Sequence, residues 1–231
     1  MTWRVALIDS CGSWPGVADA AAFGDDGGRV AQRETVADPT GHGSRVARLL
    51  TAVEGAVELL LGQVFLDARP ASAAAVAAAI DWAVAARANL IHMSLGLGAD
   101  RAVLADAVGR AVVEGCLMVA AVPARGGLVY PAGYPGVIRA TGDARCAPGE
   151  LSHLGEWLYG GCPCFEAATR DEAASGNSRT AAAGGASVGA AWVTRGILQG
   201  PRPATALAAV SALSAMARYV GPERREREPS S

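Results

Sequence analysis

The sequence predicts an α/β fold of three layers, a mostly parallel sheet with helices on both faces. Two observations carry this. Short, continuous apolar runs of strand length alternate with longer stretches of helical periodicity. Strands that alternate with helices pair in parallel and are covered on both sides. Among 231 residues, 51% are hydrophobic but only 5% aromatic, and 29 are glycine, a composition of small residues that suits closely packed layers.

The elements follow in order. "RVALID" reads as a buried strand ending in polar residues, and residues 10–40 as irregular loop with room for an edge hairpin. "GSRVARLLTAV" has apolar residues at helical spacing, and "VELLLGQVFL" is the next strand. The alanine-rich "ASAAAVAAAIDWAVAARA" is a helix, "NLIHMSLGL" a strand, "RAVLADAVGRAVVEG" a helix and "CLMVAAV" a strand. "GVIRATG" is a further strand, after which residues 143–184 carry little periodicity and read as loops with short pieces. "ASVGAAWVTRGILQ" and "PATALAAVSALSAMARYV" are helices. Residues 1–220 are expected to form one minimal domain, and the charged tail "GPERREREPSS", 221–231, to be disordered.

Composition excludes several classes. A formal net charge of -2 points away from nucleic acid. The start "MTWRVALIDS" has no apolar stretch of signal length, and no segment is apolar for long enough to span a membrane. Cys11, Cys116, Cys146, Cys162 and Cys164 make an odd count, which favours reduced thiols and a cytoplasmic location. "GCPC" lacks the second ligand pair of a zinc set, and no acidic loop has calcium spacing. No metal and no cofactor are expected. Cys116 reads as a small core hydrophobe.

Open parallel sheets place their sites at the carboxyl ends of strands. Asp9 sits at such an end, and so does the loop after Val122. Asp9, His42 and a late serine stand in an order that one known catalytic geometry uses. A serine hydroxyl becomes a nucleophile when a base takes its proton, and the base needs a carboxylate to hold one tautomer. Order alone is weak evidence, since Asp9 by itself could be a strand-end cap and His42 an exposed loop residue before a helix.

The local contexts are more specific, and through them the chain resembles the subtilisin-like serine proteases, or subtilases. "VALIDS" resembles the family's aspartate strand and "GHGSRVARLL" its histidine motif GHGTHVAG, with Ser44 for threonine and Arg45 where a second histidine is common. "IHMSLG" resembles INMSLG, "LMVAAVPARG" resembles VVAAAGNEG, "YPAGYPGVIRATG" resembles the YPA-YP-VIAVGA segment, and "GASVGAAWVTRG" resembles GTSMAAPHVAG. The segments come in family order over roughly residues 4–200. The resemblance implies Asp9 as the acid, His42 as the base and Ser187 as the nucleophile of a serine endopeptidase. Ser178, in "GNSRTAAAG", is the competing serine. Ser187 is preferred because it opens a helix and has Val193 and Thr194 at the family's spacing, while "AAAGG" would break a helix after Ser178. Glycines beside His42 are expected to relax the backbone and keep side chains out of the substrate's path.

The resemblance also implies a substrate segment. Ser94, Leu95 and Gly96 are expected to pair with an extended peptide, with Ala120, Ala121 and Val122 as the facing wall. Gly96 would leave room for the incoming backbone. His92 replaces an asparagine of the family pattern and reads as structural, while His153 has no motif around it. The family's oxyanion asparagine should fall near Ala124 or Arg125, where none stands, so Arg125 or Asn177 is a candidate substitute. Ala191 replaces the serine motif's proline. The first strand begins almost at residue 1, so the sequence is expected to fold without a prosegment.

These departures favour a slow, selective cytoplasmic protease. "VPARGG" and "GDARC" resemble subtilases that remove a leader from a modified precursor peptide. Such a precursor and its modifying enzyme are the expected partners, with no nucleic acid and no membrane. The alternatives are a catalytically impaired subtilase-fold protein that binds peptides, and a serine esterase or amidase on the same fold.

Overall fold

The computed structural model describes residues 2–27, 29–67, 69–165 and 185–222. The expected disordered tail lies almost wholly outside the described residues, as do Asn177 and Ser178. The strands are β1 (Trp3–Asp9), β2 (Asp19–Asp26), β3 (Arg29–Arg33), β4 (Val57–Gln63), β5 (Leu90–Met93), β6 (Leu117–Ala121), β7 (Val137–Gly142), β8 (Leu151–Gly155), β9 (Leu158–Gly161) and β10 (Tyr219–Val220). The helices are α1 (His42–Thr51), α2 (Ala73–Ala85), α3 (Ala102–Val113), α4 (Gly185–Gln199) and α5 (Ala206–Met216).

One sheet runs β10-β8-β9-β7-β6-β5-β1-β4-β2-β3. From β9 to β2 every neighbouring pair is parallel. Along β1 the side chains alternate between two cores. Val5 and Leu7 face one with α1, α4 and α5, while Ala6 and Ile8 face the other with α2 and α3. The expected three layers are therefore present. They follow from the period-two alternation of a strand that is apolar on both faces.

The expected edge hairpin is β2–β3, which is antiparallel at the sheet margin while β2 also pairs in parallel with β4. Two expectations need correction. Part of the span read as loop is the antiparallel hairpin β8–β9. Its strands are short and glycine-rich, so they carry no alternation. Tertiary contacts hold them: His153 stacks on Tyr159 with ring centroids 5.1 Å apart, and Ser152 donates to Asp143 at 2.6 Å. The last helix also ends early, at Met216. Beyond it Arg218 N–H donates to Leu151 C=O and Gly221 N–H to His153 C=O, so the chain leaves the helix to satisfy the open edge of β8.

At Gly189 the backbone of helix α4 lies directly against the sheet, while Val188, Ala191 and Trp192 pack into the core on either side of it. A Cβ on Gly189 would stand 2.1 Å from Thr141 O, and one on Gly161 2.6 Å from Gly189 O. No helix among the described residues is long and apolar enough to cross a membrane. Because the Gly189 contact is with backbone, the helix itself must move to admit a methyl group. Gly189→Ala should lower stability by roughly 1–3 kcal/mol, as overpacking does, equivalent to about 2–4 °C per kcal/mol at this size. Thermal unfolding measures it, and an unchanged midpoint would show that α4 lifts freely.

Candidate active site

Asp9 ends β1 on the face that carries α1 and α4, the same side as Val5 and Leu7. Its side chain is 2% exposed. Oδ1 accepts the Ser10 N–H at 2.7 Å. Gln63, fully buried at the end of β4, braces the turn beyond: its amide donates to Ser10 O at 2.7 Å and Val36 O at 3.0 Å and accepts from Val36 N–H at 2.8 Å. The strand end that holds the carboxylate is thereby tied to the segment leading into α1.

His42 is the first residue of α1. The first N–H groups of a helix have no partner within it, and here Asp38 and Thr40 supply them from outside. Asp38 accepts from Gly41 N–H and Ser44 N–H at 2.8 Å, Thr40 N–H at 3.1 Å and the Ser44 hydroxyl at 2.6 Å, while Thr40 Oγ1 accepts from His42 N–H at 3.1 Å. Burial pushes the Asp38 carboxyl up, but the hydrogen bonds from Ser44, Ser10 and Thr40 outweigh it and hold it at about 2. Sequence reading missed Asp38, although an aspartate just before a helix was a readable capping signal.

The two glycines beside His42 act differently. Gly41 has φ 68, the left-handed region, with open space where a Cβ would be. Gly43 has an ordinary φ, but a Cβ there would meet Cys11 N at 2.4 Å and Asp9 Oδ1 at 3.1 Å. It therefore lets α1 close onto the end of β1, which corrects the expectation that it clears a path for substrate.

Ser187 lies in the first turn of α4. The structure brings the three side chains together. His42 Nδ1 is 3.0 Å and 3.1 Å from the two Asp9 oxygens, and His42 Nε2 is 3.0 Å from Ser187 Oγ. A carboxylate only accepts, so Nδ1 carries the proton and Nε2 is free to accept from the serine hydroxyl. The hydrogen bond to Asp9 raises the His42 pKa above the ordinary value, with burial and Arg45 opposing. Cys11, beside Asp9, is a protonated thiol: burial and then the Asp9 and Asp38 charges push its pKa far up.

The expected substrate segment is placed as follows. Ser94 is half-buried just past β5, with Oγ 2.7 Å from His92 Nε2, and Leu95 is buried in the α2–α3 core. A Cβ on Gly96 would stand 3.0 Å from the Val129 side chain, so the glycine accommodates the protein's own chain. The next residue already has a strand partner, because Leu97 and Tyr130 exchange backbone hydrogen bonds of 2.7 and 2.8 Å. Ala120 and Ala121 sit inside β6, between β5 and β7, and Val122 N–H donates to Ala140 O at 2.8 Å. Ala120 pairs on both sides, with Met93 and with Arg139, whereas Ala121 pairs with Ala140 of β7, and the chain then runs into an exposed stretch that holds Pro123, Ala124 and Arg125. His92 is fully buried and His153 lies in β8, with neither in the hydrogen-bonded triplet. Among the described residues no cluster of His, Cys, Asp or Glu could hold a metal ion, and no disulfide joins the cysteines.

Two measurements follow. A histidine titration by NMR should place His42 above about 6.5, with Asp9→Asn bringing it down. Because the folded pKa is raised, this pair's stabilisation is complete below the unfolded value and is lost as pH rises through the folded one. Asp38 has the opposite sign: its carboxylate stabilises above its unfolded value and loses that effect as pH falls towards 2. Asp38→Ala should therefore cost roughly 1–2 kcal/mol at neutral pH, as loss of a helix cap does. The difference from the parent should shrink in acid. A constant difference at all pH values would exclude a role for the ionised carboxylate.

No protein-family model matches the chain. A thermostable alkaline protease of Halalkalibacterium halodurans is 32% identical over 149 residues, 58% of this chain and 40% of that protein. The minor extracellular protease Epr of Bacillus subtilis is 42% identical over 62 residues, 26% of this chain and 10% of that protein. The chain thus spans less than half the length of the curated relatives it matches. Among solved structures, a lanthipeptide protease superposes with TM-score 0.59 at 17% identity, covering 84% of this chain and 71% of that one. The protease domain of PatA gives TM-score 0.59 at 21% identity, covering 84% and 76%. With its parallel sheet and helices on both faces, the chain has the fold of the subtilisin-like proteases.

Proposed function

We propose that the chain is a serine endopeptidase, with Asp9 as acid, His42 as base and Ser187 as nucleophile, and that it removes a leader from a modified precursor peptide in the cytoplasm. The observation that carries the reading is the unbroken hydrogen-bonded run Asp9–His42–Ser187, with 3.0 Å on each side of the imidazole. In the first step the Ser187 proton passes to Nε2 as Oγ bonds to the scissile carbonyl carbon, and the carbonyl oxygen takes the negative charge. The imidazolium, held by Asp9, then protonates the leaving amine as the C–N bond breaks, and water repeats the sequence to release the acid. The Ser187 N–H lies in the first turn of α4, where helix N–H groups are unpaired and the dipole favours negative charge.

Selectivity follows from the oxyanion side. A missing donor there costs about 10²–10³ in rate. Arg125, on the exposed stretch after β6, is the described residue that could replace it. Binding energy from remote parts of one partner would offset the loss by fixing the scissile bond in place. One structural neighbour is a lanthipeptide protease, which supports a peptide substrate. "VPARGG" and "GDARC" resemble the subtilase that removes the leader from the small subunit of quinohemoprotein amine dehydrogenase. A crosslinked precursor and its modifying enzyme are the partners this implies. A second reading, an impaired subtilase fold that only binds peptides, is favoured by the absence of asparagine at Ala124 and Arg125.

A fluorophosphonate probe separates the two. Labelling should occur, be abolished in Ser187→Ala and persist in Ser178→Ala. Absence of labelling would favour the binding protein, and loss in Ser178→Ala would move the nucleophile. The purified protein should turn over casein weakly beside cleavage of one neighbouring-gene peptide at one bond, and rapid digestion of casein would sink the selective reading. The acid limb of kcat/KM should lie above about pH 6.5, because the base must be neutral. Asp9→Asn should lower kcat by about 10⁴.

A further inference from the structure

His92 has both ring nitrogens engaged inside the protein. Nδ1 is 2.8 Å from Thr194 Oγ1 and Nε2 is 2.7 Å from Ser94 Oγ. The two hydroxyls belong to different parts of the site. Thr194 stands on α4 two turns after Ser187, so both project from one side of that helix. Ser94 follows β5 at the carboxyl edge of the sheet. The pairing of Ile8 with Met93 sets Asp9 and Ser94 one step beyond the same rung.

Hydrogen-bond accounting fixes the direction of this chain. Thr194 is completely buried, so its hydroxyl proton needs an acceptor. Elsewhere in the molecule Thr51 and Ser214 turn theirs to the carbonyl one turn earlier, Ala47 and Val210. Thr194 makes no such bond, and among the described residues His92 Nδ1 is its partner. Nδ1 therefore accepts. Burial, helped by the His42 charge, holds the His92 pKa down at about 3, so the ring is neutral under working conditions. A neutral ring that accepts at Nδ1 carries its proton on Nε2 and donates it to Ser94. The Ser94 hydroxyl then receives from the interior, and its own proton is not used there.

We infer that His92 is a positioning residue, locked as the Nε2–H tautomer, which presents the half-buried Ser94 hydroxyl as a hydrogen-bond donor to a backbone carbonyl of the bound peptide and ties that donor to the helix bearing Ser187. An extended peptide offers carbonyl acceptors along both edges. An uncharged donor recognises backbone without selecting a side chain. This role for Ser94 rests on the protease reading, whereas the tautomer does not.

Nitrogen-15 spectra of the histidine rings test the tautomer directly. His92 should show a protonated Nε2 and a bare Nδ1, unchanged across the neutral range while His42 titrates. Thr194→Val should lose that pattern by removing the donor to Nδ1. A protonated Nδ1 in the parent protein, or titration of His92 alongside His42, would overturn the assignment. On a cleaved peptide, Ser94→Ala should raise KM by up to about tenfold, the worth of one hydrogen bond, with the larger part of the effect in KM rather than kcat. Unchanged constants, or a fall confined to kcat, would overturn the donor role. A parent protein that neither labels at Ser187 nor cleaves any peptide would remove the protease reading and the Ser94 role together, and the spectra would still decide the tautomer.

Discussion

Everything in the site depends on how closely two helix N-termini approach the carboxyl edge of one parallel sheet. His42 and Ser187 begin separate helices, and Asp9 ends a strand. Their side chains are short, so hydrogen bonds near 3.0 Å need the backbones themselves to converge. Glycine makes this possible twice. At Gly43 a Cβ would sit 2.4 Å from Cys11 N, and at Gly189 it would sit 2.1 Å from Thr141 O. Both contacts are with backbone, which cannot rotate away as a side chain can. The small-residue composition of the chain thus has a structural use as spacing between layers.

The electrostatics of the site are arranged around buried and half-buried groups with assigned partners. Asp38 spends its lone pairs on the first N–H groups of α1, so the helix start is held by an ionised carboxylate and not by its own cap residue, Gly41, which has no side chain to offer. Asp9 accepts from its neighbour's N–H and from His42. His92 lies deeper and stays neutral, because a second imidazolium beside His42 in an apolar interior would be both desolvated and repelled. One buried histidine is thus kept uncharged near another whose affinity for a proton is raised. The two therefore move stability in opposite senses with pH. The unfolded chain takes up a proton at His92 that the folded one refuses, which weakens the fold in acid, while the His42–Asp9 pair loses its contribution as pH rises.

The far edge of the sheet is organised by contacts between segments distant in sequence. Asp143 receives Arg145 in a two-point contact and the Ser152 hydroxyl, and Arg145 reaches on to Gly221 O at 2.8 Å. Tyr159 bonds to Val210 O at 2.8 Å and to Ser214 Oγ at 2.7 Å on α5. These contacts join β7, the β8–β9 hairpin and the final turn of chain. They explain why strands with almost no intrinsic signal form where they do.

By itself the sequence determined the layers and the identity of the three convergent side chains. Apolar runs of strand length, helical periodicity and motif contexts around Asp9, His42 and Ser187 are local properties, written in neighbouring residues. It also marked His92 as structural, since a histidine within a buried strand has nowhere to reach but the interior. Only the tertiary structure decided the rest, because it depends on distances between remote segments. Gly43 and Gly96 look like gaps left for substrate until Cys11 and Val129 are seen filling the space beside them. Ala120 looks like part of a cleft wall until both of its edges are found paired, with β5 and with β7. The hairpin β8–β9 and the strand after Met216 exist because a sheet edge with unpaired N–H and C=O groups draws in chain that has no strand pattern of its own.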